Sequence, residues 1–228
     1  VSRIDQLLGG ARPAPDEAQQ IWVNLPEGYT ALPLTDISGT LERAAEVVAE
    51  FAPEPLLELV APTADLLQVL LLELSERGAS YCGLGQHVSP LDGTVVSSTL
   101  VVTLHSTNAT GDPKQLLGEM AKRVDPSSVE DGDAELVDLL GTPVLFLEGI
   151  RRLPTPEDDD PAATSPVFTI EALIPSPEGD LLAAVEFATP FLDQGPEFRV
   201  MLAQFAASVS FDAPPPEPET SSILSALG

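Results

Sequence analysis

Between residues 135 and 188 the chain carries four strand-length apolar runs, Glu135–Leu139, Val144–Leu153, Val167–Ile174 and Leu181–Ala188. Gly141-Thr142 and Pro177-Glu178-Gly179 supply turns between neighbours, because Gly tolerates positive φ and Pro presets it. Further runs at Ile21–Leu25, Tyr81–Val88 and Thr94–Leu104 read the same way, the last two as a hairpin closed near Asp92-Gly93. Cys82, Leu84, Leu100, Val102 and Leu104 are expected to share one face of that hairpin. The pattern then changes period. Ile37, Leu41, Ala44, Val48 and Phe51 recur at steps of four and three, which predicts a helix over Asp36–Phe51. Asp112-Pro113 opens another through Val124, with Leu116, Leu117 and Met120 inward. Phe198, Met201, Leu202, Phe205, Ala206 and Val209 mark a third over Pro196–Val209. Strands joined by turns and flanked by separate helices place the chain in the α+β class.

One helix is ambiguous in its facing. From Pro62 to Arg77, closed by Gly78, the apolar residues Leu66, Leu67, Val69, Leu70, Leu71, Leu72 and Leu74 cover more than one side. Either both sides are enclosed, or one is reserved for a partner. Leu66, Leu70 and Leu74 are assigned to the core, and Leu67 and Leu71 to a partner-binding face.

The domain is expected to span residues 21–211. Residues 1–20 form an extension whose stretch Gly9–Gln20 is rich in Gly, Pro and polar groups, and residues 212–228 form a Pro-rich acidic tail. Both extensions are expected to be flexible. The tail ends in an apolar triplet, Ile223, Leu224 and Leu227, that a spacer does not need; it is a candidate docking peptide. RIDQLLG and SILSALG bracket the domain with similar short motifs.

Charge narrows the function. With 36 acidic residues against 10 basic, the formal net charge is −26, a field that repels phosphate backbones and anionic membranes and attracts basic proteins. No nucleic-acid partner is expected. The densest apolar run, Leu66–Leu72, is far shorter than a bilayer span, so no membrane insertion is expected and the chain reads as cytoplasmic. Cys82 is the only cysteine, which precludes an intrachain disulfide.

Groups that carry chemistry are sparse. His87 and His105 are the only imidazoles. On the hairpin register His87 faces away from Cys82, so the two share neither a metal nor a nucleophile–base contact. His105 reads as a solvent-side residue at a strand end, and Cys82 as a small core residue. Glu157-Asp158-Asp159-Asp160 lacks the ligand spacing of a calcium loop, and Asp131–Asp138 has Leu136 where the loop glycine belongs. Phosphate-cradle, dinucleotide and nucleophile-elbow motifs are missing from the sequence, and Gly83-Leu84-Gly85 reads as a bulge or close-packing site. No catalytic, cofactor-binding or metal-binding residue is assigned, and no cofactor is expected.

Leu25-Pro26-Glu27-Gly28-Tyr29 at the opening resembles the start of PsbP-like domains. So does the close: the strand Leu181–Ala188, Thr189-Pro190, the helix carrying Phe198 and Phe205, and Ser208-Val209-Ser210-Phe211. The resemblance spans residues 21–211 and implies an antiparallel sheet sandwiched between helices. It also implies a non-enzymatic adaptor, since such domains include photosystem accessory subunits, secretion-linked proteins and effector chaperones. The leucine-rich helix is an addition to that minimal domain.

Taken together, these features describe a protein-binding adaptor or chaperone, for a secretion client or a larger assembly. An acidic immunity protein covering a basic toxin is one alternative, and a scaffold-docking protein using Ile223, Leu224 and Leu227 is another. A homo-oligomer is compatible with all three.

Overall fold

The strand runs pair as the turns between them dictate. The computed structural model describes residues 7–8, 21–51, 54–107, 111–124, 130–154 and 164–213. In chain order these hold β1 (Tyr29–Ala31), α1 (Ile37–Phe51), α2 (Glu54–Glu76), β2 (Ala79–Val88), β3 (Val95–Ser106), α3 (Pro113–Arg123), β4 (Glu130–Leu139), β5 (Thr142–Pro154), β6 (Thr164–Pro175) and β7 (Leu181–Thr189). A 3-10 turn (Gly195–Phe198) then leads into α4 (Arg199–Ala207). All seven strands form one antiparallel sheet in the order β1-β2-β3-β7-β6-β5-β4. After β3 the chain passes through α3 to the far edge and returns strand by strand, so that β7 closes against β3. The β4–β5 turn is Leu140-Gly141, with φ of 56° and 95°. Positive φ at both central residues is the geometry whose twist suits a two-residue hairpin.

Alternation along the strands divides the core in two. One face carries Leu100, Val102, Ile170, Ala172, Val185 and Phe187, covered by Phe198, Leu202, Phe205 and Ala206. Arg199 of α4 ties that cover to the far edge through Glu148, at 3.1 Å, and Glu135. The opposite face has two covers. α3 lies over Leu145, Leu147, Leu173 and Leu182, anchored by Leu117 and Met120, while α1 and α2 lie over Cys82 and Val101. Asp112 caps α3 by accepting from the Lys114 amide at 2.9 Å, and Pro113 needs no amide partner in the first turn. The sheet therefore sits between helices, as the α+β reading requires.

Four expectations are corrected. Ile21–Leu25 is not a strand: only Trp22 bridges, to Ser210, and Ile21 and Val23 pack under the sheet instead. The first strand lies after the Pro26–Gly28 turn. The leucine-rich helix begins at Glu54 rather than Pro62, because one missing amide at Pro62 does not outweigh the helix-forming residues on either side. The terminal helix enters through a 3-10 turn. Finally, the apolar core begins before residue 21, since Leu7 and Leu8 are buried in the cluster beneath α3. Two leucines were too few to show a period in the sequence.

Candidate functional site

The start of α1 and the end of α2 meet over the sheet. Ile37 and Leu41 pack with Leu71 and Cys82, and Leu67 and Leu74 flank them, which makes the two helices an antiparallel hairpin with its base on β2 and β3. The Ser75 hydroxyl donates to the Leu34 carbonyl at 3.4 Å and adds a polar tie at that base. Toward the other end the hairpin turns an apolar side to solvent: Val47 is 58% exposed, Val48 50%, Leu66 51%, Val69 64% and Leu70 47%. Residues 66, 69 and 70 are spaced three and four apart and so form one strip along α2.

This reverses part of the expected facing. Leu71 is fully buried and Leu67 packs beside it, so these two residues belong to the base of the hairpin and not to an open binding face. Leu66 and Leu70, expected inside, are exposed. Leucine recurs all round this helix, so its period cannot select a buried side; contact with Cys82 and Val101 does. Ala44 and Val48 of α1 are likewise outside, although they share the stripe of Ile37 and Leu41. Ile223, Leu224 and Leu227 lie outside the described residues.

The electrostatics around the strip are one-sided. Glu42, Glu46, Asp65, Glu73 and Glu76 are exposed on the two helices. Both basic residues near them are already engaged, Arg43 with Asp36 at 3.1 Å and Arg77 with Glu73. An apolar strip inside an acidic rim offers burial to an apolar segment and attraction to flanking Lys or Arg.

No family model and no curated protein matches the chain.

The β2–β3 hairpin holds the titratable residues noted in the sequence. Cys82 pairs with Val101, and Gly83 with Leu100, so Cys82 and Leu84 occupy one face while Leu100, Val102 and Leu104 occupy the other. The register is one residue away from the expected sharing. Cys82 is indeed a buried core residue, and burial raises its thiol pKa, which disfavours the thiolate. His105 is buried rather than solvent-side, with Nε2 2.8 Å from the Thr103 hydroxyl oxygen.

His87 does face away from Cys82. Its ring lies between Tyr29, at 5.0 Å, and Phe198, at 5.3 Å, and burial lowers its pKa. The Tyr29 hydroxyl is 2.9 Å from Ser98 Oγ, and burial pushes its pKa up to about 12. Beneath these rings lie Gly83 and Gly85. A Cβ on Gly85 would stand 2.6 Å from His87 Nε2 and 2.7 Å from Tyr29, and one on Gly83 would strike the Tyr81 hydroxyl. The Gly-x-Gly is thus a close-packing site, as one sequence reading held. His87 Nε2 and the Tyr81 hydroxyl are enclosed with no hydrogen-bond partner among the described residues. Tyr29, Tyr81 and His87 all stay uncharged near neutral pH, and the packing of Tyr29 against His87 helps to pin edge strand β1 to the sheet.

Two cavities lie elsewhere, on either side of the start of α3. One, of about 450 Å³, is lined by Asp112, Lys114, Pro143, Pro175 and Phe211; the other, of about 310 Å³, by Asp112, Leu116, Glu119, Arg123 and Gly179. Hydrogen bonds from Lys122 and Lys114 hold Glu119, on α3, and Asp138, on β4, below the usual carboxylate range. Acid catalysis needs the opposite shift. Among the described residues no three His, Cys, Asp or Glu side chains are grouped to hold a metal, and no helix is long and apolar enough to cross a membrane.

Proposed function

We propose that the chain is a non-enzymatic adaptor that holds an apolar segment of another protein on the outer side of the α1–α2 hairpin. The observation that carries this reading is the strip of Leu66, Val69 and Leu70, exposed on a helix whose opposite side is anchored through Leu71. An ordinary surface helix turns charged residues outward there. The acidic rim selects the partner: a segment with an apolar face and Lys or Arg beside it, steered by the net charge of −26. The same rim disfavours a second copy, since like charges would meet across the interface. The secretion-client role suggested by the PsbP-like motifs, and a location in the cytoplasm, are compatible with such a surface and form part of the proposal.

The test is a photo-crosslinking residue at position 69 of the full chain in its native host, with adducts mapped to residues. The reading expects adducts on apolar segments flanked by Lys or Arg. Adducts confined to copies of this chain would replace it with self-association, and failure to form any adduct would remove it.

A further inference from the structure

The cluster beneath α3 contains a segment that is part of none of the seven strands. Leu7 and Leu8 are helical and buried against Leu117, Met120, Leu147, Leu173 and Leu182. Arg123 Nη1 donates to the Leu7 carbonyl at 2.9 Å. The pair belongs to no strand, and residues 9–20 separate it from the sheet. Leu7 and Leu8, followed in the sequence by the Gly- and Pro-rich stretch 9–20, thus fill a groove between α3 and β5–β7.

The chain carries the short apolar motif around this pair twice. Ile4, Leu8 and Gly9 in RIDQLLG recur at the same spacing as Ile223, Leu227 and Gly228 in SILSALG. We infer that the α3 groove is a docking site for this motif and that the segment Ile223–Gly228 of the same chain is its alternative occupant.

Three observations place that segment within reach. Phe211 and Asp212, where the described chain nears its end, line the 450 Å³ cavity together with Asp112, Pro113 and Lys114 at the start of α3. The 310 Å³ cavity, which holds Leu116 and Arg123 beside the dileucine, also includes Asp112, so the two meet at the helix cap. From Lys114 to Met120 is about 9 Å along a helix, and the Pro-rich spacer of residues 214–222 spans roughly 28 Å when extended. Charge agrees with the geometry. Lys114, Lys122 and Arg123 against Glu119 give α3 a balance of +2 (three minus one) in a chain of −26, and the spacer brings Glu217 and Glu219. This surface is separate from the α1–α2 hairpin, and the inference holds or falls independently of the adaptor reading.

The chain has two methionines, Met120 in this groove and Met201 against the opposite face of the sheet, so ¹³C-methyl labelling yields one reporter and one control. In the full chain bearing Leu7→Ser and Leu8→Ser, the Met120 signal should stay close to its original position. It should move only when Ile223→Ser and Leu227→Ser are added, with Met201 unchanged throughout. A full displacement of Met120 in the first double variant, with nothing added by the second, would overturn the inference. If loss of the dileucine unfolds the domain, a peptide of residues 220–228 titrated into the unaltered chain decides. A saturable shift of Met120 alone, absent with a scrambled peptide, supports docking, and an unmoved signal refutes it. The Met120 position in the first double variant should also be unaffected by hundredfold dilution; dependence on concentration would assign the occupant to a second copy and refute docking within one chain.

Discussion

Leu71→Ala should destabilise the α1–α2 hairpin strongly, while Leu70→Ala, one position away, should not. Leu71 is fully enclosed by Ile37, Leu41 and Cys82, so truncation removes the whole transfer free energy of the side chain and leaves a cavity. Buried Leu→Ala changes cost about 2–5 kcal/mol, and a small cluster beneath two movable helices can partly collapse, which argues for about 2–3 kcal/mol here. Leu70 is 47% exposed, and its removal should cost under about 1 kcal/mol. At this chain length each kcal/mol shifts Tm by about 2–4 °C, so Leu71→Ala should melt about 4–12 °C lower. Urea unfolding gives the two free energies, and hydrogen exchange locates them. Exchange should accelerate in peptides from residues 37–48 and 66–76 before those of β5 and β6, because the hairpin is joined to the sheet through few residues. Equal costs at positions 70 and 71, or acceleration spread evenly over the sheet, would show that the assigned sides of α2 are wrong.

His87→Phe should flatten the pH dependence of stability. The folded pKa of His87 lies below its ordinary 6.5, so the unfolded chain binds the proton more readily; the neutral ring's contribution is complete above about pH 6.5 and is lost as pH falls below it. Thermal melts from pH 7.5 to 5.5 should therefore fall faster for the natural chain than for the variant, and parallel curves would contradict the assignment. Gly85→Ala should cost about 1–3 kcal/mol in urea unfolding, since its methyl would stand 2.6 Å from His87 Nε2; the loss should shrink when combined with His87→Ala.

Much of the architecture was legible because the code for it is local. β5 to β7, α3 with its Asp112 cap, and the terminal helix announce themselves through turn residues, alternation and three-and-four spacing. The errors fall where tertiary contact decides. Nothing within Ile21–Leu25 records that Trp22 will meet Ser210, so apolar content alone read as a strand. The hairpin register was off by one residue, and with a period of two that exchanges the faces of Cys82 and Leu100. The α2 leucines encode a helix but not its orientation, which is why Leu71 was placed on the partner side. Nothing in the sequence pointed to the groove under α3, which shows only once Leu7 and Leu8 are seen to pack with Leu117 and Met120.

The most direct test is the affinity of a synthetic amphipathic leucine–lysine peptide for the natural chain and for Val69→Asp. The substitution adds negative charge to an already acidic rim, so attraction by charge alone would hold or tighten binding. Apolar docking predicts a weakening of about tenfold or more, the equivalent of losing one buried valine, at an unchanged melting temperature. Equal or tighter binding by Val69→Asp would contradict the claim that this strip receives a partner.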